Sequence, residues 1–148
     1  MKVLILAGGL GMRLRPYTTV LPKPLMPLGD KPILERLIIQ LKEYNFKTVY
    51  FSVGYLSSLI RAYFGDGNKW GVQINYIQED KRLGTAGPLS LLPEMTKPFL
   101  VLNGDLVTDL NFSKILKSYV IILLLQVKFM AWTAQQLLIY LIKMVMVR

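Results

Sequence analysis

The chain has 148 residues, which suits one domain on the usual range of roughly 100–200 residues. It contains neither cysteine nor histidine, which excludes disulfides, thiolate or imidazole metal sites and His-based acid–base chemistry, and points to a reducing, cytoplasmic compartment. A net charge of +9 suits an anionic partner, and no basic–aromatic interleaving or recognised motif speaks for nucleic acid.

That charge is unevenly spread. Residues 1–117 hold 15 Lys and Arg and all 9 acids, whereas residues 118–148 hold Lys128, Lys143 and Arg148 and no acid. Any metal must be held by carboxylates and phosphates, a donor set that suits Mg²⁺.

The apolar run Val3–Leu6 reads as a short buried strand, too short for the core of a signal peptide. Gly8, Gly9 and Gly11 follow it directly. A strand ending in a glycine-rich turn exposes backbone N–H groups that can wrap a phosphate, with nearby cations to neutralise it. The spacing matches neither the dinucleotide GxGxxG nor the P-loop GxxxxGKS/T.

Asp30 is placed to cap a helix with Pro32 in its first turn. Ile33, Leu34, Leu37, Ile38 and Leu41 then recur at helical spacing, with Glu35, Arg36, Lys42 and Glu43 mostly opposite. Thr48–Val53 is a β-branched and aromatic strand. Leu56, Leu59, Ile60, Tyr63 and Phe64 form a second helical stripe, stopped by Gly65-Asp66-Gly67.

The segment from Val72 to Ile77 alternates at period two and predicts a half-buried strand, and Phe99–Leu102 is a continuous apolar strand. This alternation predicts an α/β fold with a mostly parallel sheet. In such sheets ligands bind at the carboxyl ends of strands, where the glycine loop and Asp105 would both lie. Asp109 reads as a turn or cap residue before a helix beginning near Phe112.

After Lys117 the composition changes abruptly: residues 118–148 hold no Gly, Pro, Asp or Glu, while all 11 glycines and 8 prolines come earlier. Three readings stand. A membrane anchor is disfavoured because Gln126, Lys128, Gln135 and Gln136 break the run before the roughly 18 apolar residues a span needs. A buried or amphipathic terminal helix is the second. The preferred reading is a frame-shifted or otherwise damaged terminus, because this composition resembles unselected translation. An exposed apolar tail of this kind would promote association, so an oligomer is possible.

The stretch LAGGLGMRLRPYTTVLPKPLMPLGDKPILE, Leu6 to Glu35, closely resembles the signature GGxGxRLxPxTxxxPKPLxPxxxKPILE of the sugar-1-phosphate nucleotidyltransferases. FGDGNKWGVQINYIQEDKRLGTAGPLSLLP and FLVLNGDLVTDLNF resemble the branch containing the mannose-1-phosphate guanylyltransferases. The resemblance runs from about Val3 to about Leu116. It implies a Rossmann-like catalytic domain that transfers a nucleotidyl group from an NTP to a sugar 1-phosphate and releases pyrophosphate. Those two substrates are the implied partners.

The reaction brings an anionic sugar phosphate against an anionic triphosphate, so repulsion must be cancelled and the attack held in line. Leu6 and Ala7 open the loop in which Gly8, Gly9, Gly11 and Met12 offer backbone N–H groups to phosphate. Arg13 presents a planar donor fork suited to the leaving pyrophosphate. Arg15 reads equally well as the partner of a surface acid. Lys23 sits between Pro22 and Pro24, which stiffen its loop; by resemblance it contacts phosphates at the reacting centre.

Asp105 follows an apolar strand directly and reads either as a turn cap or as a ligand for Mg²⁺; the family's strand-end Asp favours the ligand. By resemblance, residues 79–87 correspond to the base-recognition loop, in which Gly84 and Thr85 bring backbone close to the nucleoside. Glu79 stands where thymidylyl- and uridylyl-transferring relatives often have Gln. A carboxylate accepts both the N1–H and the N2 amine of guanine, which favours GTP; the alternative is a pair of Glu79 or Asp80 with Lys81 or Arg82.

Two departures follow. Met12 replaces the small hydroxyl residue of the family's GxGTRL, removing one side-chain phosphate contact. The family's catalytic domain also continues well beyond this chain, and its second half supplies another metal-binding Asp. No acid follows Asp109. The expectation is therefore residues 1–117 as the N-terminal part of a truncated catalytic domain and 118–148 as an atypical tail. The alternative function is an inactive remnant or regulatory module that at most binds nucleotide.

Overall fold

The apolar runs of the sequence stack side by side in a computed structural model that describes residues 1–81, 84, 87–93 and 99–115. Strands β1 (Lys2–Leu6), β4 (Thr48–Val53), β5 (Gln73–Gln78) and β6 (Phe99–Asn103) form one sheet in the order β5-β4-β1-β6, every pairing parallel. A parallel sheet is covered on both faces, so its strands read as near-continuous apolar runs. Val3, Leu4 and Ile5 of β1 are fully buried accordingly.

The chain steps outward from β1 to β4 to β5, then returns to pair β6 with the other side of β1. That reversal creates a topological switch point, and the crevice beyond the carboxyl ends of β1 and β6 is where such sheets bind ligands. Leu6 pairs with Asn103 there, so the glycine loop and Asp105 leave the sheet as neighbours.

Helix α1 (Ile33–Glu43) covers the sheet with Leu34, Leu37, Ile38 and Leu41, each at most 2% exposed. Truncating one of these to alanine costs about 2–5 kcal/mol by transfer and cavity terms. Its entry differs from the predicted cap. Pro27–Leu28 and Lys31–Pro32 form a short antiparallel hairpin, β2 and β3, so Asp30 lies in the turn. Asp30 pairs with Arg36 (2.6 Å) and Lys31 (3.2 Å), and Pro32 takes the N-cap position. The Lys31 ammonium, bonded to its carboxylate, holds Asp30 below its ordinary pKa.

Glu35 departs from the expected polar face. It is buried, and its carboxylate accepts hydrogen bonds from Tyr63 Oη (2.5 Å) and Trp70 Nε1 (3.3 Å). A buried carboxylate needs such donors, and two residues from distant sequence supply them. Helix α2 (Ser57–Phe64) buries Ile60 and Phe64 but leaves Leu59 and Tyr63, two of the five residues of the predicted stripe, more than a third exposed. Beyond β6, residues 112–115 are helical, and the cap is Asn111, whose Oδ1 accepts from Lys114 N (3.0 Å), rather than Asp109. Residues 116–148, with every reading of the tail, lie outside the described residues.

Candidate functional site

At the carboxyl ends of the strands lies an open cleft of about 520 Å³, lined by residues 6–12 with Lys23, Pro24, Glu79, Gly84, Pro88, Asn103 and Asp105. The floor is the turn after β1. The N–H groups of Gly8, Gly9, Leu10 and Gly11 donate to no protein acceptor among the described residues. None of these four residues is buried. Successive unpaired N–H groups facing a concavity make an anion cradle.

Two glycines are dictated by this geometry. Gly11 has φ +60°, and a Cβ there would stand 2.7 Å from Thr18 Cγ2. Thr18 is buried and its hydroxyl donates to Gly11 O (2.9 Å), which braces the loop from beneath. At Gly8 a Cβ would meet Glu79 Oε1 at 2.9 Å and Gly54 N at 3.2 Å. Gly9 has nothing within 4 Å of its Cβ position among the described residues.

The charges sit on opposite walls. Lys23 opens a 3₁₀ turn, Lys23–Leu25, between the buried Pro22 and Pro24, as the flanking prolines suggested. Its ammonium forms an ion pair with Asp105 Oδ2, joining residues far apart in sequence across the β1–β6 crevice. Both side chains are about a third exposed. Among the described residues Asp105 Oδ1 has no protein partner, so one carboxylate oxygen is left for a cation, and no cluster of three or more metal-ligating residues occurs. A single carboxylate with phosphate oxygens and waters is a usual Mg²⁺ arrangement, and the donor set fits.

Glu79 does not pair with Lys81. Among the described residues its side-chain partner is Ser52, whose hydroxyl donates to Oε1. Arg82 and Thr85 lie outside the described residues. Arg13 does not line the cleft. It follows Met12 in the turn Met12–Leu14, exposed and without a protein partner among the described residues, and Arg15 likewise has no acid beside it.

Thus Leu6, Ala7, Gly8, Gly9, Gly11, Met12, Lys23, Glu79, Gly84 and Asp105 meet in one cleft, whereas Arg13, next in the chain after Met12, is not part of its lining. Sequence reasoning missed Leu10, Pro24, Pro88 and Asn103 in the lining, and the supporting Thr18 and Ser52. Ser52 had one sequence signal, a hydroxyl within the otherwise apolar end of TVYFSV.

Residues 2–121 match the family model described as "Nucleotidyl transferase", and the chain belongs to that family. It is similar to the mannose-1-phosphate guanylyltransferase catalytic subunit beta of Danio rerio, 41% identical over 122 residues, which cover 79% of this chain and 34% of the relative. It is similar also to the UTP–glucose-1-phosphate uridylyltransferase of Synechocystis sp., 38% identical over 130 residues with the same coverage of both chains. The structure of HddC from Yersinia pseudotuberculosis complexed with GMP-PN superposes with a TM-score of 0.69 at 32% identity, covering 80% of this chain and 53% of that one. The chain spans about a third of the length of the curated relatives it matches. No helix among the described residues is long and apolar enough to cross a membrane.

Proposed function

We propose that this cleft binds a nucleoside triphosphate, GTP by preference, and serves transfer of its nucleotidyl group to a sugar 1-phosphate. The carrying observation is the convergence of unpaired loop N–H groups, a lysine, a strand-end carboxylate and Glu79 on one switch-point crevice. The sugar phosphate oxygen attacks the α-phosphorus, the α–β bridging bond breaks, and pyrophosphate leaves.

The chain's own groups have separate tasks. The N–H groups of residues 8–12 hold phosphate oxygens without side-chain obstruction. Lys23 neutralises charge building at the reacting phosphate, in a geometry fixed before the reaction starts. Arg13, exposed and without a protein partner among the described residues, follows the loop closely enough in sequence to meet the outer phosphates as the leaving group departs. Asp105 and the phosphates would hold Mg²⁺, which when bound spreads the charge of the triphosphate. Lys23 and Asp105 keep each other paired until anion and cation replace those partners.

Base choice rests on Glu79, an acceptor-only group matching the adjacent N1–H and N2 amine of guanine. The relatives act on different bases, so GTP and the mannose-type sugar are the finer part of this proposal. The absence of cysteine is in keeping with the cytoplasm, where nucleotides are abundant.

One observation favours a second reading, nucleotide binding without turnover: beside Asp105 the described residues offer no cluster of three or more metal-ligating groups. Pyrophosphate release with Mg²⁺, GTP and mannose 1-phosphate separates the two. Release that Asp105→Asn abolishes supports transfer. GTP binding with no release from any tested sugar 1-phosphate supports the binding module.

A further inference from the structure

Strand β4 is the seam of the sheet, paired with β1 on one side and β5 on the other. Ser52, near its carboxyl end, is completely buried. A buried hydroxyl requires a partner, and in this apolar strand it serves two walls of the cleft at once. Its backbone carbonyl accepts from Ala7 N (2.8 Å), at the root of the glycine loop, and its hydroxyl donates to Glu79 Oε1. Glu79 N is in turn bonded to Val53 O (2.9 Å). The carboxylate is therefore held at both its main chain and its side chain.

We infer that Ser52 is the positioning residue for base selection: its hydroxyl locks the Glu79 carboxylate in the orientation that reads the base. The inference rests on the reading of Glu79 as the base-recognising group. The donated hydroxyl proton occupies Oε1 and fixes which way the carboxylate's acceptors face. Gly8 completes the arrangement, because a Cβ there would stand 2.9 Å from Glu79 Oε1 and push the carboxylate out of this seat. A free glutamate would rotate among its staggered states and lose part of its discrimination to ordering entropy. The bond joins a hydroxyl to a charged group, a class whose loss corresponds to roughly a tenfold change or more.

The test is calorimetric titration of the 148-residue chain with Mg·GTP and with Mg·UTP. Wild type should favour GTP. Ser52→Ala should lower the GTP/UTP affinity ratio roughly tenfold, with UTP affinity within about twofold of wild type. A merely structural role would weaken both nucleotides together. In a Glu79→Ala background, Ser52→Ala should leave the ratio unchanged, because the residue it acts through is gone.

Should the alanine variant lose its far-UV spectrum, Ser52→Cys carries the same test, since it keeps nearly the same volume with only a weak donor. A ratio unchanged by Ser52→Ala or Ser52→Cys, while Glu79→Ala collapses it, overturns this inference and leaves the reading of Glu79 standing. A wild type without GTP preference, or a ratio indifferent to Glu79→Ala, overturns both.

Discussion

Gly11→Ala is the sharpest single perturbation of the loop. Gly11 sits at φ +60°, ψ +33°, a left-handed conformation that costs an L-residue about 1–2 kcal/mol. The new Cβ would also stand 2.7 Å from Thr18 Cγ2 and 3.2 Å from Thr18 Cβ. Thr18 cannot simply withdraw. It is 2% exposed and its hydroxyl is bonded to Gly11 O, an interaction worth about 1 kcal/mol.

Reduced freedom of the unfolded chain returns about 0.4–1 kcal/mol, leaving a net loss of about 2 kcal/mol. Urea denaturation of the ligand-free protein measures it as a lower midpoint at unchanged slope. Thr18→Ser removes the clashing Cγ2 and keeps the hydroxyl. Its combination with Gly11→Ala should therefore recover the steric part but not the backbone part. A loss below about 0.5 kcal/mol, within the range of ordinary surface substitutions, or no coupling between positions 11 and 18, would refute the reasoning.

Asp105→Asn should change unfolding stability by less than about 1 kcal/mol, because both members of the Lys23–Asp105 pair are about a third exposed and screened. Turnover, measured as pyrophosphate release, should nonetheless fall on the order of a hundredfold or more with loss of the cation's ligand; equal losses in both assays would mean the pair is structural. Glu79→Gln should shift nucleotide preference from guanine toward uracil or thymine in the same titrations, and an unchanged order would remove Glu79 from base reading. Tyr63 is pushed up to about 12 by its hydrogen bond to Glu35 and by burial. Between pH about 10 and 12 the unfolded chain loses this proton while the folded one keeps it, so stability falls as pH rises through that window. Tyr63→Phe should flatten that part of the pH profile of the urea midpoint, and an identical slope in wild type and variant would contradict it.

Much of the architecture was legible because parallel strands carry their burial as unbroken apolar runs. Val3–Leu6, Thr48–Val53 and Phe99–Leu102 all became strands of the sheet. The glycine loop was legible because Gly8, Gly9 and Gly11 follow the first such run without interruption. What the sequence concealed depends on contacts between distant residues. Glu35 reads as solvent-facing until Trp70 and Tyr63 are brought over it. The Asp30 misreading arose because a hairpin, closed by a turn at residues 29–30, intervenes before α1. Lys23 and Asp105 were each singled out, but their pairing follows only from the strand order that returns β6 to β1. Ser52 looked like any strand residue until its hydroxyl met Glu79.

The central claim, that the turn after β1 is a triphosphate cradle, is tested most directly by amide NMR of the ¹⁵N-glycine-labelled chain titrated with Mg·GTP. Gly8, Gly9 and Gly11 should shift strongly. Gly65, Gly67 and Gly71, at the opposite, amino-terminal edge of the sheet before β5, should stay in place. Saturation without movement of the three loop glycines, or no binding at all, would contradict the account.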